Sequence, residues 1–154
     1  MRDRRFVTVH RGGSLSLEHH RSLMRWACDC AEHLLPLFGP EPDERLTRAL
    51  EIGRRWARGE ASVGDARNAA FGAHELARET SEAVGVAVAR AVGHAVATAH
   101  MADHSLGPVW YGKKAVRAAG QSVEAERSWQ DQRIPIEVRD FMLNALTDKR
   151  FAKR

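Results

Sequence analysis

Residues 81–104, SEAVGVAVARAVGHAVATAHMADH, are the longest run of apolar and small side chains in the chain, and any fold must first find a place for them. Small residues at 83, 85, 87 and onward to 99 alternate with larger ones. A period of two reads superficially as a strand. The run is too long for that, since strands average about five or six residues. Its commonest residue, alanine, is also the best helix former and a poor strand former. As a helix the segment resolves into rows four residues apart. Ala83, Ala87, Ala91, Ala95 and Ala99 form one row, and Gly85, Ala89, Gly93 and Ala97 form another. Val84, Val88, Val92 and Val96 form a third, which runs on into His100 and His104. Val86, Arg90, His94 and Thr98 form the only polar row. Two rows of side chains no larger than a methyl let neighbouring helices approach closely, so this segment is expected to be the buried axis of a helical bundle ending near His104.

A membrane span is the competing reading. Charges near a bilayer's centre cost about 2.5–3.5 kcal/mol each. Arg90 and His94 sit mid-segment, Glu82, Asp103 and His104 flank it, and alanine and glycine supply little hydrophobicity. A core helix accounts for the segment better, and no membrane partner is expected.

The 154 residues suit one domain with a real core. The start MRDRRFVTVHRGG is too polar for a signal peptide. Cys28 and Cys30 would lie about 200° apart on a helix, unable to bridge or to grip one metal together. They are expected as reduced thiols of a cytoplasmic protein. Charge is segregated: residues 1–25 carry +4, residues 26–105 carry −4 and residues 106–154 carry +4. Basic ends around an acidic middle differ from the uniform basic face of a nucleic-acid binder, leaving weak binding by the tail DKRFAKR.

The rest of the chain reads as further helices. Residues 1–15 form a loosely ordered arm, with Phe6–Val9 extended before Gly12-Gly13. Ser16 caps a first helix reaching about Leu35, its apolar stripe running through Leu17, Met24, Ala27, Cys28, Ala31, Leu34 and Leu35. A second helix spans about Glu44 to Arg58, ended by Gly59 in the left-handed region. Ser62 and Asp65 form a capping box for a third, to about Thr80. Beyond the central helix, Gly107-Pro108 opens a helix to Gly120 and Ser122 caps another that stops before Pro135. Pro135 opens the last helix, with Ile136, Val138, Phe141, Met142, Ala145 and Leu146 buried. The expected fold is all-α, a single-domain bundle of about six or seven helices over 16–147 around an Ala/Gly/Val-rich axis, with 148–154 a basic tail.

Eight histidines invite a metal hypothesis. His100 and His104 are four apart, as are Asp29 and His33, a spacing that lets two ligands share an ion. If the first and central helices cross there, a cage is geometrically possible, with His33, His100 and His104 as ligands. Neither Glu-x-x-His nor His-Glu-x-x-His occurs, so the residues favour a metal-free polar network. Asp29, His33, His94, His100, Asp103 and His104 would form it, and no cofactor is expected. Enzymatic readings have less to stand on. There is no Gly-rich phosphate loop and no Gly-x-Ser-x-Gly, and a Cys30–His33 pair inside a helix would have no oxyanion hole. Trp110 and Tyr111 point about 100° apart on a helix. Either Trp110 lies in the core with Tyr111 at its rim, or one of them is an exposed anchor for a partner.

The segments Trp26–Phe38 (WACDCAEHLLPLF) and Gly93–Gly107 (GHAVATAHMADHSLG) resemble the small all-helical bacterial immunity proteins of the fifth polymorphic-toxin immunity class and its relatives. Arg55–Glu60 and Tyr111–Val116 fit the same pattern, and the similarity covers roughly residues 17 to 146. The resemblance implies a cytoplasmic, non-catalytic protein that binds and blocks a cognate toxin, often a nuclease. The acidic Glu32, Glu41, Asp43 and Glu44 would steer a basic toxin, with Trp110 or Tyr111 as anchor. The alternative is a metal- or small-ligand-binding bundle using Asp29, His33, His100 and His104. A homo-oligomer stays open.

Overall fold

The computed structural model of the chain describes residues 3–148. The basic tail beyond Asp148 lies outside the described residues. Those residues form a single all-helical domain. Seven helices of nine residues or more are α1 (Leu17–Glu32), α3 (Glu44–Ala57), α4 (Val63–Glu79), α5 (Ala83–Ala97), α6 (Gly107–Ala118), α7 (Val123–Gln132) and α8 (Arg139–Thr147). A four-residue helix, α2 (Leu35–Phe38), follows α1, and 3-10 turns occupy Arg4–Phe6, Val9–Arg11, Ala102–Leu106 and Ile136–Val138.

The helix starts follow from side-chain oxygens that accept otherwise orphaned amide protons. Ser16 accepts from the His19 N–H, and Ser122 accepts from that of Ala125. Ser62 and Asp65 complete a reciprocal capping box, and each such cap is worth about 1 kcal/mol. Asp43 caps α3 by accepting from the Arg45 N–H. Gly59 ends the following turn at φ +78°, where a side chain would be strained.

The central run is the axis. α5 packs against α1, α3, α4 and α6, and Ala87, Ala91, Ala95, Val88, Val92 and Val96 are all buried. Its glycines admit neighbours directly. A Cβ on Gly85 would meet Thr80 and the Phe38 ring, and one on Gly93 would meet the His74 ring. Close packing reaches the neighbouring helices too. On α3, a Cβ at Gly53 would stand 3.1 Å from Cys28 Sγ and 3.4 Å from Val96 Cγ2.

The axis stops earlier than its composition suggests. Nothing between Thr98 and His104 is a helix breaker, yet α5 ends at Ala97 and Met101 is extended. Continuing the helix would require the Thr98 carbonyl to accept from Ala102, and that carbonyl is bound instead by His20 Nε2 at 2.5 Å. A tertiary hydrogen bond stands where the next helical one would be. His100 and His104 therefore do not share a helix face, since His100 follows the helix and His104 lies in the 3-10 turn.

α1 differs as well. It ends at Glu32, and Pro36 sits in the first turn of α2, where a proline is tolerated. Leu17, expected in its stripe, is 55 % exposed. In exchange α1 is buried on two faces. Met24, Ala27, Cys28 and Ala31, followed by Leu34 just past the helix, join the main core with α3 to α6. Leu23, Trp26 and Cys30 join a second cluster with Phe6, Leu15, Leu106, Val138 and Met142. The segment before α1, where a loose arm is expected, thus packs through Phe6 and Leu15. At the other end Ile136 is 86 % exposed rather than buried, because the segment opens as a 3-10 turn before α8 begins.

Ala91 has no exposed surface, so Ala91→Leu is expected to lower stability by about 1–3 kcal/mol through overpacking. Chemical denaturation measures it. An unchanged midpoint would mean that α5 is not the axis.

Candidate functional site

α1 and α5 run antiparallel. His20 near the start of α1 meets Thr98 at the end of α5, whereas Phe38, just past α1, packs at Gly85 near the start of α5. His33, thirteen residues on from His20, is therefore roughly 20 Å along the bundle from His100. The expected meeting of Asp29, His33, His100 and His104 does not occur. Among the described residues no group of three or more His, Cys, Asp or Glu side chains is arranged to hold a metal ion.

The predicted residues separate into two sites. At the α7 end, Asp29 and Glu32 pair with Arg54 at 2.9 and 2.6 Å. His33 Nε2 lies 2.7 Å from Glu126 Oε2, and its ring stacks on Trp129 at 3.8 Å with Arg133 over the other partner's ring at 3.9 Å. Glu126 is 4 % exposed and also accepts from the Gln130 amide, so the carboxylate is solvated by protein donors instead of water. Sequence spacing gives no notice of Glu126, one of two glutamates in the first turns of a largely polar helix.

At the other end the histidines gather. His94 Nδ1 and His104 Nδ1 are 3.2 Å apart, which requires one imidazole to donate and the other to accept. The His104 ring centre lies 5.1 Å from His100, and His94 meets His74 edge-on at 5.2 Å and stacks on Tyr111 at 5.2 Å. Arg90 Nη1 lies 2.8 Å from His74 Nδ1. A guanidinium only donates, so that nitrogen accepts and His74 is neutral. Burial is the main reason that the His74 pKa falls to about 4, with the Arg90 and Arg78 charges adding to it. The polar row of α5 (Arg90, His94, Thr98) is the seam on which this arrangement is built. His94, His100 and His104 were foreseen. Asp103 is half-buried in the adjoining 3-10 turn.

Two glycines make the seam possible. A Cβ on Gly93 would stand 2.5 Å from His74 Cε1, and one on Gly107 would overlap His94 Cβ. His74 and His94 thus occupy volume that any other residue would fill.

His100 also borders a half-enclosed cavity of about 440 Å³ between the N-terminal segment, the start of α1, the end of α3 and the turn after α5. Its lining is largely apolar, with Phe6, Leu15, Trp56 and Met101 among the walls. His20 belongs to it, its ring 4.7 Å from Trp56 and its pKa lowered chiefly by burial. The spacing of His20 with Met24, Ala27 and Ala31 on the buried stripe was the available signal for it.

The cysteines face opposite cores. Burial pushes Cys28 up to about 12 and Cys30 well above its ordinary value, which leaves both as thiols rather than nucleophilic thiolates. Of the expected anchors, Trp110 and Tyr111 are both half-buried, Tyr111 against the main core and Trp110 against the second cluster. Among the acidic candidates Glu41 and Glu44 are exposed, whereas Asp43 is spent on its cap and on Arg45.

Two measurements probe the seam. In α4, Gly72 has open space where a Cβ would go, so Gly72→Ala is expected to stabilise by about 0.5–1 kcal/mol. Gly93→Ala, with the same intrinsic gain, should instead destabilise, and His74→Ala should remove most of that penalty in a double-mutant cycle. The pH dependence has a definite sign. His74 takes up its proton at about 4 in the folded protein against 6.5 in the unfolded chain. Its contribution is complete above pH 6.5 and is lost as pH falls toward 4, because the unfolded chain binds the proton first. His20 acts in the same direction. Denaturation across that window should show the decline, and His74→Gln should flatten it; an unchanged slope in the variant would place the loss elsewhere.

No curated protein and no solved structure matches the chain. The family described as Imm-5 like putative immunity protein matches over residues 13–137. That span runs from the lead-in to α1 through the 3-10 turn before α8 and contains the histidine seam, its two glycines and the Glu126 site. With most of its length inside the match, the chain belongs to the Imm-5 like immunity protein family.

Proposed function

We propose that this protein works in the cytoplasm as an immunity protein, binding a toxin in a stoichiometric complex and blocking it without catalysis of its own. Family membership over residues 13–137 is the observation that carries the reading. The chemistry of the fold is consistent with it: both thiols are buried in apolar cores.

A basic toxin, such as a nuclease, suits the acidic middle of the chain. Glu41 and Glu44 at the start of α3 are exposed and carry charge outward. Asp43 and Glu32 contribute less, since Arg45 and Arg54 already neutralise them locally. Trp110 and Tyr111, half-buried, offer edges rather than whole rings to a partner.

Co-expression with the toxin gene adjoining this one is the direct trial. Cells are expected to survive only with this protein present, and a one-to-one complex should co-purify. Cell death at an unchanged rate would refute immunity. Within such a complex, Glu41→Lys with Glu44→Lys should slow association about tenfold at low salt and reduce its salt dependence, with little change in dissociation. Asp43 is left intact in that variant so that the α3 cap is preserved.

A further inference from the structure

We infer that the cavity between the N-terminal segment and the ends of α3 and α5 binds a small amphiphilic carboxylate, its chain among Phe6, Leu15, Trp56 and Met101 and its head at Thr8 and Arg11. Four observations carry this. The volume, about 440 Å³, is that of a small-molecule site. The walls are apolar, while the ionisable side chains lining them are His10, Arg11, His20 and His100, all basic and with no carboxylate among them. The Thr8 hydroxyl oxygen is buried with no hydrogen-bond partner among the described residues, although Thr8 lines the cavity. Leaving such a group unsatisfied is costly, and a ligand oxygen there would relieve it. Finally, Val9, Leu17 and Val63, three of the six large apolar side chains exposed on the described surface, belong to this same lining. They form an apolar collar at the mouth.

The polar groups define the head of the ligand. His20 Nε2 is committed to the Thr98 carbonyl, which leaves exposed Arg11 as the permanent cation. A neutral chain would leave Arg11 unused. A cationic one, or a basic segment such as the KRFAKR end of this chain, would meet like charge. Toxin binding is not a premise of this inference, and either can fail alone.

Calorimetric titration of the full-length protein with decanoate, decanol and decylamine, below their micellar concentrations, tests it. Decanoate is expected to bind one-to-one, with decanol about tenfold weaker and decylamine not binding. Arg11→Glu, at an exposed position that leaves the fold intact by circular dichroism, should weaken decanoate about tenfold and leave decanol unchanged. Thr8→Val should weaken it severalfold. Chemical-shift changes on adding decanoate should map to Trp56 and Ala99. No saturable decanoate binding, equal affinity for decanoate and decanol, or an Arg11→Glu variant that binds decanoate as tightly would overturn the proposal. Shifts confined to the exposed collar would also overturn it, by pointing to a surface for a protein side chain.

Discussion

Everything in this molecule rests on how closely α5 lets its neighbours come. Methyl-sized or smaller side chains on two of its rows let side chains of neighbouring segments, such as the His74 ring, reach the α5 backbone, and the valine row is buried alongside them. Interiors packed at crystal-like density leave no slack for an added methylene. The polar row is left as the less buried side of the helix, with Arg90 and His94 only partly covered. It faces α4, α6 and the turn after α5, and its polar members find partners. Arg90 takes His74, His94 takes His104, and the Thr98 carbonyl takes His20.

The histidine seam is therefore a packing solution with electrostatic consequences. Neutral imidazoles stack, accept from a guanidinium and donate to a carbonyl, and protonating one of them sets it against its neighbours. The far end of α1 solves the same problem differently. There a buried carboxylate, Glu126, receives His33, and Trp129 covers the pair. One end of the bundle gathers imidazoles, with burial lowering the pKa values of His74 and His20, and the other is organised by acid–base pairing.

Fold class, the axial helix, three of the four side-chain caps on the α-helices and the Gly59 stop were legible in the sequence, because each is set by local chemistry. Small residues, hydroxyls and carboxylates at helix starts, and a glycine after a helix act within a turn of chain. What misled were tertiary effects. No local signal ends α5 at Ala97, and the Thr98 carbonyl just past that end is held by His20, far away in sequence. The four-residue spacings of Asp29–His33 and His100–His104 suggested a meeting point, but spacing carries no information on helix direction, and antiparallel packing sends the two pairs to opposite ends. His94, His100 and His104 lie beside one another, away from Asp29 and His33. His74 could not be recruited to them from spacing alone, because its seat is created by the missing side chain of Gly93 on another helix.

The two buried faces of α1 tie together parts of the chain made at very different times. Its second face is covered by Phe6 and Leu15 from the beginning and by Val138, Met142 and Ala145 from near the end. The main core is built from α1 and α3 to α6, whereas the cluster around Trp26 and Cys30 draws on segments near both ends of the described residues. The walls that Phe6 and Leu15 lend to the apolar cavity share that dependence. The second cluster and the cavity wall beside it are thus the part of the fold that a change in either of these two segments reaches first.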